Sequence, residues 1–321
     1  MKHITVLKKE TIDLISPRNG GVYADLTLGG GGHLKELLSR AENMTVLAFD
    51  VDASNIDAIK KDLSTFTIYD LRITNYEKKS KIENRKSEII LINDNFSKID
   101  FYIEKLDLGE LDGVIADLGW STDQLDSVEG MSYEDRDSEL DMRMDKSLGV
   151  KASDLLNALG KNELNEMFKK YADIFGSQNS KLVEEIKAHR KKRLIITVGD
   201  FLKIIDRSFG LDSGDQKLKS RKFQTYSKIF QALRIAVNNE FGNLTEILSK
   251  SFNSLKENGV FAILTFHSGE DKIVSTYFDQ LVSNKSAEYL NEKDKYLRPS
   301  VDELLANISS RSAKLWAIKK L

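Results

Sequence analysis

The sequence predicts an α/β fold in which a parallel sheet is covered by helices on both faces and is interrupted by an inserted helical domain. Apolar runs of strand length alternate with helical patterns from about residue 20 to Asp117. From about residue 129 to residue 222 the pattern is helical, and strand-like runs resume near residue 260. Continuous Val, Ile and Leu runs are typical of strands in parallel sheets that are buried on both faces.

The elements before the insertion follow one another in strand–helix order. The run GGVYADL predicts a strand, and HLKELLSRA has its leucines at helical spacing. The same alternation continues through MTVLAFDVD, ASNIDAIKKDL, EIILIND, FSKIDFYIEKL and LDGVIADLG. A polar, Lys-rich stretch over residues 70–87 predicts a local insertion or hairpin.

The insertion and the elements after it define the expected domains. Apolar stripes such as Leu155, Leu156 and Leu159 predict amphipathic helices. TYSKIFQALRIAVNNEF and NLTEILSKSFNSLKENG predict two more helices, and VFAILTFHSGED and KLWAIKK predict the closing strands. We therefore expect a sheet domain from residues 1–128 and 223–321, with a helical substrate-recognition domain at 129–222.

Composition excludes several classes of protein. The chain has 321 residues, of which 40% are hydrophobic and 31% charged, as in an ordinary globular protein. It has no cysteine, which excludes disulfides, thiolate nucleophiles and cysteine-bound zinc, and we expect no metal site. Neither a membrane span nor a signal peptide is evident, which predicts a cytoplasmic protein without membrane partners. Because the net charge is −2, nucleic-acid binding would depend on local basic patches.

Three features fall at strand ends, where open α/β sheets bind ligands. They are the glycines of DLTLGGGGHL, Asp50 and Asp117. Asp50 follows Gly29 by 21 residues, a spacing that suits a carboxylate bound to the ribose of an adenosine. The glycines let the backbone approach a ligand, and the helix after them offers N–H groups to an anion.

The glycine run alone leaves several ligands open, including a phosphate, a dinucleotide and S-adenosylmethionine. The dinucleotide fingerprint G-x-G-x-x-G fails, because Leu34 or Lys35 stands at its last position. A P-loop also fails, because no Gly-Lys-Ser/Thr follows. A tight turn without a ligand is the structural alternative.

Eight segments from His3 to Leu315 occur in the order HITVLKKE, DLTLGGGGH, FDVD, DLGWSTDQLD, LDMRMD, FQALRIAVNNE, FHSGED and SSRSAKL. Together they resemble the bacterial methyltransferase family that modifies N4 of a cytidine in 16S ribosomal RNA, in the decoding region of the small subunit. The resemblance implies a class I (Rossmann-like) methyltransferase sheet with an inserted helical domain. It also implies S-adenosyl-L-methionine as cofactor and 16S rRNA within the small subunit as partner. The sequence leaves open whether the protein is a homo-oligomer.

The resemblance also implies roles for individual residues. Gly31, Gly32 and His33 would line the methionine end of the cofactor, and Asp50 would bind its ribose. The remaining cofactor-binding residues would be Phe96 near the adenine, and Asp117 and Gln124 near the sulfonium. We take Asp117, Trp120 and His267 as the catalytic candidates.

The chain departs from the family pattern at positions that leave the expected cofactor residues intact. The family has Ser where this chain has Leu34, and Leu where it has Gly269. Ser-Pro is replaced by Thr122-Asp123, and Gly-Pro by Ser138-Glu139. His-Pro-Ala-Thr-Arg is replaced by residues 224–228, which exchange an arginine for Lys228. The last of these changes removes a fork-shaped donor, and lysine is not equivalent to arginine at a phosphate. The departures therefore concern the expected substrate contacts.

Several residues keep two interpretations. His33 and His267 could be polar residues at helix starts or members of the site, and Trp120 could be packed or serve as a platform for a flipped base. The DMRMD segment, from Asp141 to Asp145, could be half-buried or a lid. The basic runs KAHRKKR and KLKSRK, and Arg311 with Lys314, could contact RNA or be solvated.

Three classes of function follow. The first is an rRNA (cytosine-N4)-methyltransferase. The second is a non-catalytic ribosome-binding relative that keeps the fold, which a methyl-transfer assay distinguishes. The third is a nucleotide-dependent oxidoreductase, which the absorbance of bound nicotinamide would reveal.

Overall fold

The structure, a computed structural model, describes residues 4–73, 87–119, 128–211, 218–291 and 294–321. The chain forms two compact units: a sheet unit, residues 1–119 and 241–321, and a helical unit, residues 120–240. Within the described residues, no helix is both long and apolar enough to cross a membrane.

The elements before the helical unit follow the predicted alternation. In chain order they are α1 (Lys8–Ile15), β1 (Val22–Asp25), α2 (Gly32–Leu38), β2 (Thr45–Phe49), α3 (Ala53–Asp62), β3 (Thr67–Asp70), β4 (Glu88–Ile92), α4 (Ile99–Lys105) and β5 (Leu111–Asp117). A 3-10 turn at Phe96–Lys98 precedes α4. Most of the Lys-rich stretch, residues 74–86, lies outside the described residues.

The remaining elements are mostly helical and then return to the sheet. The helical unit contains α5 (Ala152–Ala158), α6 (Lys161–Ala172), α7 (Gly176–Arg190), α8 (Val198–Phe209) and α9 (Leu218–Val237). There follow α10 (Glu240–Ser254), β6 (Leu255–Thr265), α11 (Ser268–Ser283), β7 (Ala287–Tyr289), β8 (Tyr296–Leu297), α12 (Val301–Ala306) and β9 (Lys314–Lys320).

The sheet has the order β3-β4-β2-β1-β5-β6-β9-β7, and β8 also pairs with β9. The pairs from β3 to β6 are parallel, whereas β9 runs antiparallel to β6, β7 and β8. The expected mixed α/β architecture with a mostly parallel sheet is therefore confirmed. The carboxyl ends of β1, β2, β4, β5 and β6 lie along one edge of the sheet.

Both faces of the sheet are buried, as the continuous apolar strands predict. Along β2, Val46 and Ala48 belong to one hydrophobic cluster, and Leu47 and Phe49 belong to another. The first cluster includes residues of α1, α2 and α3, and the second includes residues of α10 and α11. Successive strand residues point to opposite faces, so each strand supplies both layers.

The division of the chain differs from the expected boundaries after residues 128 and 222. The contacts place the boundaries after residues 119 and 240. The larger difference is α9, which we expected in the sheet domain. Its buried side chains Tyr226, Ile229, Phe230 and Leu233 belong to the core of the helical unit, where α9 packs against α5, α6 and α8. The periodicity of α9 predicts a helix but carries no information about the partner of its apolar face.

The basic run at residues 190–193 is only partly a solvated surface. Nη1 of Arg190 donates hydrogen bonds to the carbonyl oxygens of Leu156 and Leu159, at 2.9 and 2.7 Å. These carbonyls end α5, where the last turn of a helix lacks intrahelical donors. Arg193 donates to Asp200 at 2.5 Å. Two of the four cations therefore hold the helical unit together.

We expect Arg190→Gln to lower the free energy of unfolding by about 1–3 kcal/mol, because it removes charge-assisted hydrogen bonds to two partly buried carbonyls. Lys191→Gln makes the same change of charge one residue later, at an exposed side chain, and should change stability by less than about 0.5 kcal/mol. Urea unfolding followed by circular dichroism measures both. Equal stabilities of the two variants would contradict the role of Arg190 as a helix cap.

Candidate active site

The glycines of the loop between β1 and α2 have two different roles. Gly29 and Gly31 have φ of 45° and 71°, a left-handed conformation that favours glycine. A Cβ on Gly31 would also collide with the side chain of Ile59. Gly30, in contrast, has no neighbouring heavy atom of the described residues within 4 Å of the position of a Cβ. Gly31 is thus required by the fold, and Gly30 leaves bare backbone beside open space.

Gly32 and His33 begin α2 directly after the loop. A Cβ on Gly32 would collide with Thr5, so this glycine too is required for packing. The His33 ring is only 3% exposed, and its Nε2 lies 3.4 Å from Oδ2 of Asp117. Neither ring nitrogen has a hydrogen-bond partner among the described residues. His33 is therefore a buried polar group that faces the end of β5.

Asp50 ties the glycine loop to the end of β2. Its Oδ2 accepts hydrogen bonds from the backbone N–H of Gly29 at 2.8 Å and from Nδ2 of Asn55 at 2.9 Å. Its Oδ1 accepts from the backbone N–H of Asp52 at 2.8 Å. A carboxylate offers about four acceptor positions, so about one remains for a ligand. Burial raises the pKa of Asp50 in spite of these three donors.

Asn93, at the end of the neighbouring strand β4, holds the backbone of Asp50 in place. Nδ2 of Asn93 donates to the carbonyl oxygens of Asp50 and Val51, at 2.9 and 3.0 Å. Phe96 follows in the 3-10 turn, half-buried against the hydrophobic cluster of that face. The structure thus places Phe96 at the carboxyl end of β4, next in the sheet to the strand that carries Asp50.

A hydrogen-bonded chain joins the ends of β1 and β5. The backbone N–H of Thr27 donates to Oδ1 of Asp25 at 3.1 Å, and Oγ1 of Thr27 accepts from the backbone N–H of Asp117 at 2.6 Å. Oδ1 of Asp117 accepts from the backbone N–H of Gly119 at 3.1 Å. Thr27 therefore fixes the positions of Asp25 and Asp117 relative to each other.

Asp25 is the functional candidate that the sequence analysis missed. It is 1% exposed, and its Oδ2 has no hydrogen-bond partner among the described residues. Burial raises its pKa to about 6, against the opposing effects of His33 and the N–H of Thr27. Buried polar atoms are rarely left without a partner, so Asp25 and His33 together indicate a place for a polar or cationic ligand group. The only signal in the sequence is that an acid ends the first strand directly before the glycines.

His267 lies at the end of β6 as the N-cap of α11. Its Nδ1 accepts from the backbone N–H of Glu270 at 3.4 Å, and its Nε2 lies 3.1 Å from Oε1 of the same residue. The ring packs against Phe241, with centroids 5.7 Å apart. A Cβ on Gly269 would collide with Phe241, which accounts for glycine at this position. These contacts are those of a helix cap, and a catalytic role for His267 stays a prediction.

The structure brings Gly31, Gly32, His33, Asp50 and Asp117 together at one edge of the sheet, with Phe96 and His267 at the ends of further strands. Trp120 and Gln124 lie outside the described residues, as does Thr122-Asp123. Leu34, a departure from the family pattern, is fully buried in the core beside α1.

The DMRMD segment belongs to the helical unit and is held by ion pairs. Asp141 is 2% exposed and accepts from Arg143 and Lys146 at 2.7 and 2.8 Å. Its carboxylate lies within 4.8 Å of those of Glu129 and Glu139, and the last of these pairs with Lys151. Arg143, Lys146 and Lys151 therefore already neutralise the charge of this carboxylate cluster. Of the two interpretations, the half-buried segment fits these contacts.

The sheet order, the antiparallel β9 and the glycine loop facing acidic strand ends define the fold as that of a class I methyltransferase. The chain belongs to the MraW methylase family, whose model matches residues 1–321. This membership was the expectation from the eight motifs.

Curated relatives match the chain over its whole length. It is 34% identical to ribosomal RNA small subunit methyltransferase H of Mycoplasmopsis agalactiae, over 100% of this chain and 99% of the relative. The enzyme of the same name from Clostridium botulinum is also 34% identical, with the same coverage. That of a Sulfurihydrogenibium species is 31% identical, over 98% of each chain. Among solved structures, an rRNA methylase from Streptococcus thermophilus has a TM-score of 0.42 at 12% identity, covering 100% of this chain and 99% of that one.

Asp25→Asn should change how stability depends on pH. The carboxyl titrates near pH 3.9 in an unfolded chain and near 6 in the folded protein, so the folded state binds its proton more tightly. The contribution of this carboxyl group to the free energy of unfolding therefore falls by roughly 3 kcal/mol as pH rises from about 4 to about 6. Asparagine keeps an oxygen for the N–H of Thr27 but does not titrate.

We expect the difference in unfolding free energy, variant minus wild type, to rise in favour of Asp25→Asn between pH 4 and pH 7. Urea unfolding at several pH values measures it. A difference that is constant over this range would show that the carboxyl titrates normally.

Proposed function

We propose that this protein transfers a methyl group from S-adenosylmethionine to the N4 amine of a cytidine in the RNA of the small ribosomal subunit, in the decoding region. The observation that carries the proposal is the full-length membership of the MraW methylase family, with relatives named as small-subunit rRNA methyltransferases. We propose that it acts in the cytoplasm, on RNA within the small subunit.

The site has the features that such a cofactor requires. Open backbone at Gly30 lets a ligand lie against the loop, and the N-terminus of α2 suits a carboxylate. The unpartnered Oδ2 of Asp25 suits a cationic group, and the remaining acceptor position of Asp50 suits one ribose hydroxyl. Phe96 offers part of a ring for the adenine face. When bound, S-adenosylmethionine supplies an electrophilic methyl group on a cationic sulfur.

The residues of this chain have two tasks in the reaction, alignment and charge stabilisation. The bond from nitrogen to the methyl carbon forms as the carbon–sulfur bond breaks, and the amine then loses one proton. The N4 lone pair is delocalised into the cytosine ring, so the amine is a weak nucleophile and must be held in line. Alignment alone can contribute up to about 7–11 kcal/mol.

We assign the orienting role to Asp117. Its Oδ1 is held by the N–H of Gly119, and its backbone is held by Thr27, so the carboxylate cannot turn freely. Its Oδ2 faces Nε2 of His33 at 3.4 Å. An acceptor fixed in this way can take a hydrogen bond from the amine and stabilise positive charge that develops on the nitrogen. The proton then passes to water or to this carboxylate. Trp120 stays the predicted platform for the base, and Gln124 a predicted cofactor contact.

The two alternative functions have less support. A non-catalytic relative would not need the buried Asp25 and His33 to stay without partners. An oxidoreductase would need a dinucleotide fingerprint, which the glycine loop does not have. Transfer of labelled methyl groups to small subunits that lack the modification, with mass mapping of the product, tests the proposal directly. Methylation of another base or another atom, or no transfer at all, would refute it.

Asp50→Asn should weaken the binding of S-adenosylmethionine by about tenfold or more, because it removes a charge-assisted hydrogen bond to the ribose and perturbs the N–H groups that hold the loop. Asp52→Asn makes the same change of charge two residues later, at an N-cap that asparagine also satisfies, and should leave affinity within about twofold. Calorimetry measures both constants. Equal affinities would exclude a cofactor contact at Asp50.

Asp117→Asn keeps the shape of the side chain and removes its charge. If the carboxylate stabilises the transition state, single-turnover methylation at saturating cofactor and RNA should slow by about 10²-fold or more. Calorimetry and RNA binding on the same variant provide the control for lost affinity. A rate within about threefold of wild type would reject the assignment.

A further inference from the structure

The surface of the helical unit has a depression of about 190 Å³ whose function is unassigned. It lies where one face of α9 meets the end of α8 and the corner between α6 and α7. Its lining combines cations, a ring and amide groups: Arg221, Gln224 and Lys228 of α9, Phe209 of α8, and Ile174 and Gln178 of the corner. This mixture differs from the apolar core beneath it and from the solvated charge runs elsewhere on the unit.

The two cations of the depression have no partner within the part of the chain that the structure describes. Arg221 and Lys228 are exposed, and neither side chain forms an ion pair or a hydrogen bond there. They are seven residues apart on one helix, which places them on one face about two turns from each other. The cation between them along the chain, Lys222, is instead held by Asp206 at 2.8 Å. Arg221 and Lys228 thus place two unpaired cations at the depression.

One wall of the depression is apolar. Phe209 ends α8 and is half-buried, and Ile174, which is buried, also belongs to the lining. A partly exposed ring in an apolar wall can stack with a planar group, and every nucleobase has such a planar face.

The rim of the depression carries groups that recognise the edges of bases. Gln178 and Gln224 are exposed, and each amide offers donors and an acceptor. Asp173 adds a carboxylate to the lining, on the side that α6 and α7 contribute. An anion is disfavoured near that carboxylate and favoured beside Arg221, so the depression has a polarity that orients a nucleotide.

We propose that this depression binds one unpaired nucleotide of RNA, with its phosphate on Arg221 and Lys228 and its base against Phe209. The inference rests on the proposed function only in that the substrate is RNA. Sequence-specific RNA recognition depends on unstacked bases that lie on aromatic rings and are read at their edges. An acidic peptide would use the two cations but would leave the ring and the amides unused, so it is the weaker occupant.

Two variants with the same change of charge test the proposal in the full chain. Arg221→Gln with Lys228→Gln removes the cations of the depression. Lys191→Gln with Lys192→Gln removes two exposed cations that lie elsewhere in the same unit and have no partner among the described residues. Binding of a labelled single-stranded RNA of about ten nucleotides is measured by anisotropy at several salt concentrations.

We expect the variant with Arg221→Gln and Lys228→Gln to bind RNA about tenfold or more weakly. The slope of its salt dependence should be smaller by about one unit. The second pair should change the affinity by less than threefold. Phe209→Leu should weaken binding by about fivefold or more without altering the slope, since stacking is lost and charge is kept. Thermal unfolding of each variant shows whether it is folded.

The opposite outcomes overturn the proposal. Equal losses in the two charge pairs would mean that only overall charge matters. Displacement of the labelled RNA by polyglutamate as effectively as by unlabelled RNA, or equal binding of duplex and single strand, would mean that the base is not bound. The proposed function fails by a separate measurement, which is absence of methyl transfer by the wild-type protein to small subunits.

Discussion

The hydrogen bond from the N–H of Gly29 to Oδ2 of Asp50 is the contact on which the arrangement of the site depends. It joins the loop after β1 to the end of β2, and the two other donors to Asp50 come from the N-cap and the first turn of α3. The loop therefore cannot move without disturbing the strand beside it. A buried carboxylate that satisfies three protein donors is costly to displace. The consequence is a rigid floor for a ligand rather than a surface that forms on binding.

The sequence predicted the strands of the sheet centre well because their apolar runs are long and buried on both faces. It missed β3, β7 and β8, which are short and mostly half-buried, so that their residues carry little hydrophobic signal. The glycine loop and Asp50 could be found from spacing. Asp25 could not, since its importance comes from complete burial and an unpartnered oxygen, and these are properties of the packed chain.

The basic residues of the helical unit show a second limit of pattern. Arg190 and Lys191 are neighbours in one charged run, yet the first holds two carbonyl groups and the second is exposed. Along α9, Lys222 is paired while Arg221 is exposed. A run of charged residues in a sequence shows only how many cations are present. Which of them are available to a partner depends on where each side chain points after folding, so the density of positive charge in a sequence is a poor guide to an RNA surface.

The position of β9 in the sheet has a consequence for synthesis. This strand follows every other strand of the sheet along the chain, yet it lies between β6 and β7 rather than at an edge. During synthesis, β6 therefore leaves the ribosome before β9 is made, and one edge of β6 stays unpaired. Such an open edge can pair with other chains. The helical unit is continuous in sequence and is complete well before that point. We therefore expect the helical unit to fold during synthesis and the sheet unit to complete its folding only after β9 has been made. The nascent sheet unit is then the part most exposed to chaperones and to misassembly.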